Sequence, residues 1–441
     1  MSIFIDMQKS RISIHIILIF TIDMIIDRFF RFTTGGNWAI KGRGFLVAPV
    51  TKALRCVTFG SLVGLQACVS PAALDHAVIA YDQSTSEILS ELLLLNIARA
   101  HQHQPLHFTG VSNIAATFNF QFNAGATPAM TGPTGSLITP IFGGTASENP
   151  TISIIPMEGE EFTKRLLTPF QESKLTMLLR QGTDVDLILR LLAGELRIEN
   201  DHQDKVYNNK PSDKDGYKLF RQVVSHISSI QDRNALFVEP LLFDSSWELN
   251  SDSLSPERLV GLLKEFKVDY NTDKHQLKLS KRVTGRIILT NYDPQLLSNE
   301  ERIKLNEEAD SGASNDVMVD IRPGYPGGEV PLHGFFRLRS FYNIVNFIGR
   351  DINDEPEFNV DKDPRSPFVS ENPIHTLEVI ASESVPDDVD MSVKYGGLHY
   401  AVKPEEGYQW NRESFRLLHQ IFQMTVTELS QKGAPEITIS K

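Results

Sequence analysis

The chain has 441 residues, 41% hydrophobic and 22% charged, with two cysteines and a formal net charge of −12. That length buries an ample core without disulfide staples and predicts one large or two modest domains. An acidic balance with no basic tract excludes nucleic-acid binding by phosphate neutralisation.

The first informative feature is Leu65-Gln66-Ala67-Cys68, which closes the short apolar run Cys56 to Leu65 behind Lys52 and Arg55. A basic flank, a run too short to span a bilayer, an apolar residue three places before a cysteine and a small residue just before it are the layout of a bacterial lipoprotein export signal. The expectation is a mature chain starting at Cys68, acylated there and held on the cell envelope, at the outer membrane facing the periplasm. Such a signal belongs at a chain start, so Val50, read through an alternative start codon, is a candidate initiator. The competing reading makes residues 12–30 a transmembrane anchor, against which Asp23 and Asp27 count, because a carboxylate in hydrocarbon costs several kcal/mol.

Residues 1–67 hold eight basic and three acidic side chains, so their removal takes the net charge from −12 to −17. Such a body is repelled by anionic head groups, and attachment then falls to the acyl chains. With Cys56 removed and Cys68 acylated, no disulfide or thiol chemistry remains.

In chain order, 87–100 predicts a helix with Ile88, Leu92, Leu95 and Ala98 on its apolar face, ended by Pro105. Thr117 to Asn123 alternates Phe118, Phe120 and Phe122 with polar residues, the period of a strand with one greasy face. Ala124 to Gly144, rich in Gly, Pro, Thr and Ala, reads as a long loop or irregular hairpin. The pair of segments fits a half-buried strand with a loop, or a hairpin that inserts into a membrane or lines a multi-subunit pore. Pro128, Pro133 and Pro140 count against the second, since a central strand cannot donate through proline. Residues 151–156 suggest a short strand and 158–167 a helix with acids first and bases last. Further helices are expected over 171–180 and 184–193, the latter a surface helix packed on one side, and Glu199 to Asp215 a solvated connection. An element from 216 to 230 precedes the strand 235–238.

Ser255-Pro256-Glu257 supplies an N-cap and a first-turn proline for a helix to Phe266. Strand character follows over 267–270, 276–279 and 286–289. Residues 298–315 turn acidic and read as a linker or exposed insertion. Helical spacing returns from Leu338 to Ile348, strand character at 376–380 and 395–402, and a wide apolar stripe from Ser414 to Val426. The whole predicts an α+β fold: mixed helices and short strands around one or two cores with long irregular insertions. Its parts are 1–67, a removed extension; 68–297, a domain holding the Gly/Pro/Thr-rich hairpin or loop at 107–148; 298–315, the linker; and 316–441, a second domain or a continuation of the same core.

Chemical motifs are sparse. His101, His103 and His107 lack the spacing of a zinc site and suit a polar helix end. The acids Asp351, Asp354, Glu355, Glu357, Asp361 and Asp363 lack calcium-loop spacing, which leaves a weak divalent-ion site as the alternative to a solvated surface. No phosphate loop, dinucleotide fingerprint or nucleophile elbow occurs. No catalytic residue and no cofactor is therefore assigned.

The cysteine signal at Cys68, the helix ending Asn96-Ile97-Ala98-Arg99-Ala100, the strand and loop after Phe108, Asn149-Pro150-Thr151 ahead of Glu160, Phe162, Leu166 and Leu167, and the late helices around Arg339 and Arg416 resemble a group of uncharacterised bacterial envelope lipoproteins. The resemblance implies envelope location and carries no activity. Two function classes follow from the residues. One is a non-enzymatic, lipid-anchored assembly, binding or structural component, oligomeric through 107–145, with Phe118, Phe120 and Phe122 contacting membrane, envelope partners or other copies. The other is an envelope hydrolase whose carboxylates converge only in the fold.

Overall fold

The computed structural model describes residues 69–128, 138–198, 205–250, 255–271, 275–407 and 409–426. The backbone divides into two compact units, residues 1–79 and 80–441. Cys68 and the expected export signal lie outside the described residues, and no described helix is long and apolar enough to cross a membrane.

The fold is α+β. Helix α1 (Val69–His101) leads to strands β1 (Phe108–Pro128) and β2 (Ile138–Met157), which pair only with each other among the described residues. Three short helices follow, α2 (Glu160–Leu167), α3 (Glu172–Leu179) and α4 (Val185–Leu192), then β3 (Ala193–Ile198), β4 (Lys205–Asn208) and the long α5 (Lys214–Asp232). Next come β5 (Phe237–Asn250), α6 (Pro256–Glu265), β6 (Lys267–Asn271) and β7 (Gln276–Thr290), then α7 (Asn299–Ser311), β8 (Asp316–Ile321), β9 (Leu332–Leu338) and α8 (Phe341–Asp351). A small sheet of β10 (Val379–Ser382), β11 (Ser392–Tyr395) and β12 (Leu398–Val402) precedes α9 (Trp410–Val426). The two-residue turn between β11 and β12 uses Gly396 and Gly397, both at positive φ, as a tight hairpin turn requires.

The main sheet runs β4-β3-β9-β8-β7-β5, with β6 on β7; only β7 and β8 pair in parallel. Every residue of β8 is buried, and the strand shows why. Val317 and Val319 join the larger core with Leu192, Phe220, Phe336 and Ile344, while Met318 joins a second cluster with Ile288, Leu305 and Phe335. Successive side chains of a strand point to opposite faces, so helices cover this sheet on both sides. Gly349 of α8 lies where the end of α1 crosses; a Cβ there would stand 2.8 Å from the Cβ of Ala100.

Several expectations change. The acidic stretch 298–315 is mostly helix α7, opened by a capping box in which Ser298 and Glu301 each accept from the other's backbone N–H. Leu305 and Ala309 are buried under the sheet, and the strands on either side of α7 are sheet neighbours. Helix α4 is not a surface helix: all eight of its residues are buried. Asp186 and Arg190 are accommodated as an i,i+4 pair at 3.2 Å, with Arg190 donating onward to the Pro373 carbonyl. In α1 the buried positions among the described side chains are Leu93, Leu94, Asn96, Ile97, Ala98 and Ala100, and Ile88 is exposed. The stretch 199–215, expected as a solvated connection, contributes β4 and the buried Asn209.

Candidate functional site

The segment singled out by its alternating phenylalanines forms one antiparallel ribbon, and the Gly/Thr-rich stretch after it is strand as far as Pro128 and again from Ile138. Of the stretch expected as a long loop or irregular hairpin, residues 129–137 lie outside the described residues. At about 3.3 Å per residue, strands of this length run to roughly 65 Å. A single bulge lies between Val111 and Asn113.

The base of the ribbon is fixed in the core. Phe108 stacks on Phe422 with ring centroids 4.7 Å apart and also meets Phe162 and Phe341. Just before it, the buried Asn96 acts as a substitute strand partner. Its amide nitrogen donates to the His107 carbonyl at 2.9 Å, and its oxygen accepts from the His107 N–H at 2.8 Å. Arg99 donates to the same carbonyl. The chain therefore leaves α1 and enters β1 with its first backbone groups satisfied, as buried backbone polar groups must be.

Beyond the bulge the register pairs Phe118 with Glu148, Phe120 with Ala146 and Phe122 with Gly144. Residues directly opposite in an antiparallel pair share a face. One parity then carries Ile114, Ala116, the three phenylalanines, Ala124, Phe142 and Ile152, together with Glu148 opposite Phe118; the other is almost wholly Asn, Thr, Ser, Gln and Gly. From Phe108 to Met157 the sequence has one charged residue, Glu148. Pro140 and Pro150 fall on the same parity of β2, so the donors they lack all belong to one edge of that strand.

The structure also gathers ionisable groups that lie far apart in the sequence. Asp351, Glu357 and His375 bring potential ligand atoms within 4.8 Å of one another. Their oxygens are already engaged. Glu357 Oε1 accepts from the Tyr217 hydroxyl at 2.6 Å, the Thr376 hydroxyl at 2.9 Å and Arg221 Nη1 at 3.4 Å, and Oε2 accepts from the Thr376 N–H at 2.5 Å. Asp351 Oδ1 accepts from the Glu357 N–H, and Oδ2 pairs with His375 Nδ1 at 2.8 Å. Burial pushes the Asp351 carboxyl and the Tyr217 hydroxyl above their ordinary values, while the hydrogen bond to Asp351 raises His375. With the Arg221 guanidinium paired to the same carboxylate, this is an internally neutralised tie between α5 and the loop after α8, and it offers no open oxygen to a cation or a substrate.

The remaining candidates disperse. His101 bonds the Tyr400 hydroxyl through Nδ1 and meets Asn353 through Nε2, His103 faces Asp354 at 3.3 Å, and the His107 backbone serves the ribbon base. Glu355 pairs with Lys210 and Asp363 with Arg365. Asp351 and Glu357, expected on a solvated surface, are buried. Sequence reasoning missed their partners Tyr217 and Arg221, whose only local signal is an i,i+4 spacing on α5. Comparison with protein-family models, with curated proteins and with solved structures finds no match.

Proposed function

We propose that this chain is a lipid-anchored, non-enzymatic component of the bacterial cell envelope that assembles through its β1–β2 ribbon, copies placing their ribbons side by side in a shared sheet at or within the membrane. The observation that carries the reading is the ribbon itself. An isolated two-stranded sheet is marginally stable in water, and this one keeps a row of unpaired backbone groups along both outer edges among the described residues. Strand addition by a neighbouring copy satisfies those groups.

The alternation supports a sheet with one face in hydrocarbon and one in water, the pattern of membrane barrels built from segments of about ten residues. Charge is sparse in the segment: its one acid, Glu148, shares the phenylalanine parity opposite Phe118, and an acid on a lipid-facing strand costs less than the roughly 2–4 kcal/mol of a mid-membrane Lys or Arg. Acylation at Cys68 supplies an anchor that the acidic body cannot supply by charge.

The test uses the protein extracted from membranes in mild detergent. Native mass spectrometry should give a closed oligomer, and denaturing mass spectrometry a chain beginning at acylated Cys68. Replacing Phe118, Phe120 and Phe122 together by Asn should yield monomers whose body unfolds at the parent's urea midpoint. A monomeric parent ends the assembly reading. An intact Met1, or a reactive thiol at Cys68, ends the lipid anchor.

A further inference from the structure

Three arginines are buried among the described residues, and their partners differ. Arg190 pairs with Asp186 and Arg221 with Glu357. Arg339, between β9 and α8 and only 8% exposed, pairs with no carboxylate among the described residues. Its Nη2 donates to the Arg190 carbonyl at 3.0 Å and the Ala193 carbonyl at 2.6 Å, and its guanidinium lies over the Phe347 ring at 4.4 Å. Nε has no acceptor. Carbonyl bonds at a helix C-terminus and a ring face offset part of the cost of burying this charge, but they do not neutralise it.

Arg339 lines a cleft of about 830 Å³ between α2, α8 and the chain following α1. Beside it the buried Asn209 donates to the same two carbonyls, which fixes its amide so that Oδ1 turns away from them, without a donor. The rim adds Lys210 and Arg350 against one acid, Glu355, which Lys210 already holds at 3.4 Å. An excess of positive charge is thus concentrated in one concavity of a strongly acidic chain. Phe347 and Tyr342 supply ring surface to the walls.

We propose that this cleft binds a small organic oxyanion, a carboxylate or phosphate ester with an apolar body, its charged end directed to Arg339 and its body against Phe347 and Tyr342. Two carbonyls and a ring already hold the guanidinium, so little side-chain entropy is lost on binding. Binding in the cleft does not rest on assembly through the ribbon, although the cleft shares α2, α8 and the chain before β1 with the ribbon's root.

Titration calorimetry on the full-length protein in detergent tests this with three probes: phenyl phosphate, benzamide as its neutral counterpart, and inorganic phosphate. Phenyl phosphate should bind saturably at one site per chain and benzamide should not. Inorganic phosphate should bind about tenfold more weakly, for want of the ring contacts. Arg339→Lys should abolish binding. Because Arg339 also caps α4, the rim variant Lys210→Gln/Arg350→Gln provides a second test: about tenfold weaker binding of phenyl phosphate with an unchanged urea midpoint. No saturation by phenyl phosphate, equal binding of benzamide, inorganic phosphate as tight as its phenyl ester, or a rim variant that binds like the parent would each overturn the proposal.

Discussion

Glu357→Gln is a nearly isosteric change that should cost this protein far more than its size suggests. The carboxylate accepts four hydrogen bonds, from the Tyr217 hydroxyl, Arg221 Nη1, and the backbone N–H and hydroxyl of Thr376. A glutamine amide offers one oxygen, and the Thr376 N–H, which cannot turn, takes it. The NH2 group then faces two hydroxyls and a guanidinium. The hydroxyls can rotate to accept, but the guanidinium cannot, and Arg221 loses its counter-charge while 2% exposed. Breaking one side of a buried pair costs about 3–5 kcal/mol. Tyr217→Phe, which removes one donor to Glu357 and one acceptor for Arg221 Nη1 while leaving the charges intact, should cost about 1–3 kcal/mol. Urea unfolding followed by far-UV circular dichroism gives both values. In a Trp38→Phe/Trp247→Phe background, tryptophan emission gives a local reading, because Trp410 Nε1 donates to the His375 and Thr376 carbonyls beside the network. A loss below about 1 kcal/mol for Glu357→Gln would mean that water reaches Arg221 and that the network is not the closed tie described above.

The His375–Asp351 pair makes stability depend on pH, with a sign that follows from the direction of the shift. Since the folded state raises the His375 pKa, its contribution is complete below about pH 6.5, the unfolded value, and is lost as pH rises through the folded value. The unfolding free energy should therefore fall as pH rises from about 6.5 through the folded value, and His375→Gln should flatten that slope; an unchanged slope in the variant would assign it to another group. At the ribbon base, Asn96→Asp keeps an acceptor for the His107 N–H but replaces the donor to the Leu92 and His107 carbonyls with a second oxygen. It should destabilise by about 2–3 kcal/mol and speed proteolysis of the 107–157 segment relative to the rest of the chain, and equal cleavage of both would refute the role given to Asn96.

What could be read in the sequence was the periodicity. The helical stripe of α9, the capped start of α6, the break between α3 and α4 and the alternating phenylalanines of β1 all emerge as elements, because each depends on neighbours within a turn or a strand length. What escaped depends on partners distant in the chain. The composition of 298–315 looks exposed, yet Leu305 and Ala309 suffice to hold α7 on the sheet once a capping box starts it. Asp186 and Arg190 look like a wet helix face, and only the Pro373 and Asn372 acceptors across the fold make their burial feasible. Gly, Pro and Thr in 124–128 and 138–144 fit a long loop or an irregular hairpin by composition, and register with the opposite strand makes them sheet.

The position of the ribbon base relative to the core gives the assembly reading a mechanical basis. A ribbon that is marginal by itself can keep a defined direction only if its root is rigid, and rigidity at the root comes from side chains with no alternative place to go. Phe108 meets rings from α2, α8 and α9, and Asn96 satisfies both backbone groups of His107, so the four helices that converge there share one junction with the strand. A shift of any of these helices changes the angle at which β1 leaves the body. Lengthened over roughly 65 Å, a small rotation at Phe108 becomes a displacement of several strand spacings at the ribbon's far end. If copies assemble as proposed, their edges match only when every root adopts the same geometry, which is why packing at Phe108 should set whether ribbons align.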